Sequence, residues 1–100
     1  MEYLSGQNLE DVLDVNVTLV DYFASWCGPC QMLSLELEDL SEREDNLKII
    51  KVDVDNHQEL AQSKGIMSVP FVEIYKNKKL ITSFLGFKTK EEIQNILKEI

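Results

Sequence analysis

The run Val17-Thr18-Leu19-Val20-Asp21-Tyr22-Phe23-Ala24 is apolar or β-branched at every position but Asp21. A strand with one wet face alternates polar and apolar side chains, so this run reads as a central strand covered on both sides. Such a strand needs neighbours in a sheet and helices above and below it. The segment from Pro29 to Arg43 reads as the first of those helices, with Pro29 tolerated in its opening turn and Leu33, Leu37 and Leu40 on one stripe. Leu33, Leu35 and Leu37 would also satisfy strand alternation. Length and the surrounding Glu, Gln and Met decide for helix.

The rest of the chain supplies the other layers. Met1 to Leu4 fits a short edge strand, and Asn8 fits a helix cap with Leu9, Val12 and Leu13 on one face. Leu47 to Val54 alternates as a second long strand. Asn56 with Glu59 resembles a capping box opening a helix that Gly65 closes. Phe71 to Lys76 and Lys79 to Leu85 form a hairpin whose turn, Asn77-Lys78, lacks glycine, so one of those two must take any positive φ. Thr89 and Glu92 make a full capping box for a last helix that buries Ile93, Ile96, Leu97 and Ile100. The order β-α-β-α-β-α-β-β-α predicts an α/β fold, a mixed sheet with helices on both faces. No repeat, low-complexity stretch or linker interrupts it, so residues 1–100 are expected to form one domain.

Chemistry concentrates where the central strand gives way to the helix, at Trp26-Cys27-Gly28-Pro29-Cys30. Cys27 and Cys30 are the only cysteines. At that spacing a disulfide closes within one helical turn, which makes a two-electron thiol–disulfide switch the natural reading. Cys27 falls at the helix start, where unpaired N–H groups and the dipole favour its thiolate. Gly28-Pro29 should leave its side chain accessible, with Cys30 more buried one turn on. The expected roles follow: Cys27 attacks a substrate disulfide and Cys30 resolves the mixed disulfide. Zinc is the main competitor for a CxxC pair, but two thiolates and the distant His57 do not complete four ligands, so no metal is expected.

Asp21 is costly in a buried strand unless it has a partner or a task. Alternation places it with Leu19 and Phe23, beneath the helix carrying Cys30. It can therefore accept the Cys30 proton, through water, or pair with Lys51 in the neighbouring strand, or do both. Val69-Pro70 precedes a strand, where either a cis bond or a trans proline opening the strand is compatible with the sequence. Trp26, Met67, Val69 and Phe87 are apolar residues in loops and could form a rim for extended peptide, or pack singly. His57 reads as a surface residue.

The formal net charge is −8, with 2 basic and 11 acidic residues in the first fifty positions against 8 and 7 in the second. That balance disfavours nucleic acid, which requires a basic face. No apolar run approaches the roughly 20 residues of a membrane span. The first residues, Met1-Glu2-Tyr3-Leu4, resemble no secretory signal, so a cytoplasmic location is expected, where a lone CxxC is seldom a structural staple.

The chain resembles the thioredoxin family over nearly its whole length. Trp26-Cys27-Gly28-Pro29-Cys30 matches the family's active-site signature, Asp21 and Lys51 its buried acid and adjoining lysine, Gly65 to Pro70 its cis-proline loop, and Leu85-Gly86-Phe87 its later glycine loop. The resemblance implies a four- to five-stranded mixed sheet flanked by four helices. It implies Trp26, Gly28, Pro29, Val69, Pro70 and Gly86 as the substrate-binding set, with substrate backbone pairing at Val69. It further implies a monomeric protein-disulfide reductase with no bound cofactor beyond its redox-active disulfide. NADPH and FAD would enter only through a partner thioredoxin reductase. The chain departs from the family pattern at Leu35, where a proline usually kinks the helix, at Gln31, where a base is common, and at Phe71, where threonine is usual. Two alternatives remain: a dedicated reductant for one partner, or else an oxidant or isomerase, and a binding subunit that needs only reduced thiols and would tolerate loss of Cys30.

Overall fold

In the computed structural model, which describes residues 1–100, the central strand lies third of five. The elements are β1 (Glu2–Tyr3), α1 (Leu9–Val12), β2 (Val17–Phe23), α2 (Gly28–Arg43), β3 (Leu47–Asp53), α3 (Gln58–Ser63), β4 (Phe71–Lys76), β5 (Lys79–Leu85) and α4 (Lys90–Lys98). The sheet runs β1-β3-β2-β4-β5. Its first three strands are parallel, while β4 opposes β2 and β5 opposes β4. This is the mixed five-stranded sheet with four helices that the sequence predicts.

Alternation along β2 divides the core in two. Leu19 faces Leu33, Leu37 and Leu40 of α2 and Ile93 of α4, together with Ile49, Val72 and Ile74. Val20 and Tyr22 face the opposite way, onto Leu9, Leu13, Ile50, Val52 and Tyr75, with Leu60 of α3 against them. Helices therefore cover both sides of β2, which is why its sequence has no polar face. α2 is continuous through Leu35, where the side chain points to solvent.

Local signals set most of the boundaries. Thr89 and Glu92 form the reciprocal capping box at α4. Gly65 has φ 68°, and the bonds from its N–H to Gln62 and from Ile66 to Ala61 end α3 in a Schellman closure. At the hairpin both Asn77 and Lys78 take positive φ, at 53° and 66°. The start of α3 corrects the sequence reading. Asp53 draws Asn56 into a tight turn, accepting from its backbone and its side chain, so Asn56 does not cap. His57 stands at the cap position without a side-chain bond to the helix. Its ring is half-buried, with Nε2 2.9 Å from the Leu4 carbonyl oxygen, and so is not simply a surface residue.

A polar network lies within the α1/α3 side of the core. Tyr22 and Tyr75 each donate a hydroxyl to Glu73 Oε1 at 2.8 Å, and Lys64 bonds the Tyr75 hydroxyl at 2.8 Å while lying 3.3 Å from Glu73 Oε2. Burial, reinforced by Glu73, pushes the Tyr22 hydroxyl far above its usual range, so it stays a donor.

Leu37 is fully enclosed at the centre of the α2/α4 side. Leu37→Ala is expected to lower unfolding free energy by about 2–5 kcal/mol in urea titration, with the m-value unchanged.

Candidate active site

The final residue of β2, Phe23, leads through a tight turn in which the Cys27 N–H bonds the Ala24 carbonyl at 3.2 Å. Helix α2 begins at once. Cys27 is its N-cap, with extended backbone angles (φ −94°, ψ 113°), and its sulfur accepts the Cys30 N–H at 3.2 Å. A cysteine thus occupies the place usually held by Ser, Thr, Asp or Asn, and its sulfur satisfies a helix donor that would otherwise lack a partner. Pro29 in the first turn has no N–H to leave unpaired. Cys27 and Cys30 form a disulfide, with Cα atoms 5.3 Å apart.

Cys27 is less open than the sequence suggests. It is 6% exposed against 2% for Cys30, so the asymmetry has the expected sign but is small. The reason is the loop before β4: the Cys27 sulfur lies 3.8 Å from the Val69 carbonyl oxygen, and the Val69 side chain packs against the cysteine pair. The Val69–Pro70 bond is cis, the first of the two arrangements compatible with the sequence. Gly86 joins the same corner, since its N–H donates to the Pro70 carbonyl at 2.8 Å and its φ of 91° suits glycine.

Beside the cysteines, Trp26 is 72% exposed and Met67 94%. They line a largely apolar cavity of about 120 Å³ with Val54, Ile66, Ser68 and Val69. Phe87 is not among its walls. The Trp26 indole N–H is fixed by Asp55 Oδ2 at 3.0 Å, a contact that the sequence reading misses because nothing marks one carboxylate in an acidic turn.

On the α2 side of the sheet, Asp21 is wholly buried and directly opposite Lys51 in the parallel β2–β3 register. Its Oδ2 lies 3.4 Å from Lys51 Nζ. The short bond of that ammonium goes instead to Ser34 Oγ, at 2.7 Å. Lys51 also lies 4.6 Å over the Phe23 ring. Burial pushes the Asp21 carboxyl up to about 6, against the opposing pull of Lys51. A cleft of about 170 Å³ touches Cys30, Ser34, Phe23 and Lys51 together, with space for water. The arrangement can break and form a disulfide at a helix start, and can hold or release a proton near neutral pH behind it.

The Thioredoxin family model matches residues 1–99. Thioredoxin of Bacillus subtilis (strain 168) is 44% identical over 82 residues, covering 81% of this chain and 79% of that protein. Among solved structures, a mutant thioredoxin from Halobacterium salinarum NRC-1 aligns with a TM-score of 0.87 at 33% identity, over 97% of this chain and 87% of that one. Chloroplastic thioredoxin z aligns with a TM-score of 0.89 at 32% identity, over 98% and 91%.

An Asp with a folded value near 6 and a reference value of 3.8 binds its proton more tightly in the folded state. Its contribution to stability therefore falls as pH rises through that interval and stays lost above it. Relative to Asp21→Asn, the oxidised protein should lose roughly 3 kcal/mol of unfolding free energy between about pH 3 and pH 7. Denaturant titrations across that range check this, and a pH-independent difference between the two proteins would contradict it.

Proposed function

The chain belongs to the thioredoxin family and is a thiol–disulfide oxidoreductase; from that premise we propose that it reduces protein disulfides through Cys27 and Cys30 and is recycled by a flavin-dependent thioredoxin reductase using NADPH. The observation that carries the reading is the position of the Cys27 sulfur, at the N-terminus of α2 with the Cys30 N–H donated to it. The same N–H is available to a thiolate, whose negative charge strengthens the bond.

In the reduced protein the Cys27 thiolate attacks one sulfur of the target disulfide. That S–S bond breaks, a mixed disulfide forms, and the departing target thiolate takes a proton from solvent. Cys30 then gives up its proton, with Asp21 as the proposed acceptor, and its thiolate attacks the Cys27 sulfur. The Cys27–Cys30 disulfide closes, and the second target thiolate leaves and is protonated. Two electrons and two protons have reached the target. Lys51 is the partner of Asp21, limiting how far burial raises its affinity for a proton.

Trp26, Gly28, Pro29, Val69, Pro70 and Gly86 make up the proposed substrate-binding surface. Open space where a Cβ would stand on Gly28 supports close approach of a target to Cys27. Gly86 supports the Val69–Pro70 loop from behind, through its bond to Pro70. We take residues 1–100 to act as one domain, a monomeric electron carrier in the cytoplasm that binds no nucleic acid. No helix is long and apolar enough to cross a membrane.

Cys30→Ser should accumulate targets as covalent mixed disulfides on Cys27, released by dithiothreitol. The Cys27→Ser, Cys30→Ser double variant should capture none. Absence of adducts on the single variant would remove the resolving role of Cys30. Asp21→Asn should slow resolution of the mixed disulfide by about tenfold or more while leaving the initial attack nearly unchanged, as followed by rapid acid quench. Equal slowing of both steps would remove Asp21 as proton acceptor.

A further inference from the structure

The Lys51 ammonium has two polar neighbours and treats them unequally. Ser34 Oγ accepts from it at 2.7 Å, whereas Asp21 Oδ2 stands 3.4 Å away. An ionised carboxylate in a fully buried place normally draws any nearby ammonium into a short bond. Something withholds this one. Ser34 lies one helical turn beyond Cys30 on α2, so the hydroxyl is delivered by the same helix that carries the cysteines. We propose that Ser34 is a positioning residue: by accepting the short hydrogen bond of Lys51, its hydroxyl holds that ammonium back from the Asp21 carboxyl and keeps Asp21 able to bind a proton.

The surroundings leave few rivals for this effect. On β3 the facing charged group is Lys51 itself, and on β4 the residue paired with Asp21 is Val72. From α2 come Ser34 and the cysteines, which are joined as a disulfide, and from α4 comes Ile93. The phenol of Tyr3 lies across the cleft, its ring 5.9 Å from Lys51 Nζ. The Glu73 network sits on the other face of the sheet. Removal of the Ser34 hydroxyl leaves a buried ammonium short of one acceptor, at a cost that closing onto Asp21 relieves. The carboxylate would then accept a short bond in place of the present 3.4 Å contact, and would release its proton more readily.

The use of this device in turnover rests on Asp21 serving as proton acceptor, but the device can be tested without it. The Asp21 carboxyl is titrated by carbon-13 NMR in the oxidised full chain, as wild type, Ser34→Ala and Ser34→Thr. Alanine is at home in a helix, so the variant is expected to fold. The midpoint should fall by about one pH unit in Ser34→Ala and return with Ser34→Thr, which restores the hydroxyl. With Lys51→Met as background, Ser34→Ala should leave the midpoint where it was. An unchanged or raised midpoint in Ser34→Ala overturns the proposal, as does an equal fall in the Lys51→Met background. If the titration moves as expected but the pH profile of mixed-disulfide resolution does not, Ser34 keeps its role and Asp21 loses its own.

Discussion

The register between β2 and β3 is the constraint on which the site depends. Parallel pairing of these strands sets Asp21 opposite Lys51 while keeping both on the side covered by α2. Slippage by one residue would turn every side chain of β2 to the other face, taking Leu19 out of one core and Val20 out of the other. The two cores therefore hold the ion pair in place more firmly than the charges hold each other. The same strand ends at Phe23, four residues before Cys27, so its position also fixes where the helix cap and the sulfur fall.

The sheet carries buried charge on both faces, handled in opposite ways. Glu73 accepts two tyrosine hydroxyls and lies beside Lys64, so its partners are met. Asp21 has one ammonium, 3.4 Å away, whose short bond goes to Ser34 instead. A satisfied network rigidifies its surroundings, whereas a buried carboxyl held only by a long contact keeps a protonation state that can change. Lys51, which faces Asp21 across the strand pair, lines the cleft that Cys30 and Ser34 also line.

Much of this was legible in the chain because it is local or periodic. A strand without a polar face implied helices on both sides, and one charge within it marked Asp21. Thr89 with Glu92 and Gly65 each signalled a helix boundary through bonds reaching only a few residues. Glu73 breaks the apolar run Phe71 to Tyr75 in the same manner as Asp21, and so carried a readable sign of burial. Other features had none. The Lys51–Ser34 bond spans 17 positions between a strand and a helix, and no periodicity relates its two ends. Asn56 and Glu59 matched a capping pattern, but the competing pull of Asp53 depends on the turn that follows β3. Cys27 read as open because the lid formed by Val69 comes from 42 residues away.

Cys27 serves as helix cap and reacting atom at once, and this bears on what kind of target the protein can handle. The bond from the Cys30 N–H uses a lone pair that the closed disulfide leaves free and that a thiolate would offer as well. Electron transfer therefore asks for almost no movement of the helix start, which behaves as a stiff tool. Beyond the opening of the Val69 lid, the bending that lines up three sulfur atoms would then fall mainly to the other molecule. A target disulfide in a loop that opens cheaply would then suit the site better than one locked within a rigid core. Selection of this sort reads the local mobility of a target rather than its sequence.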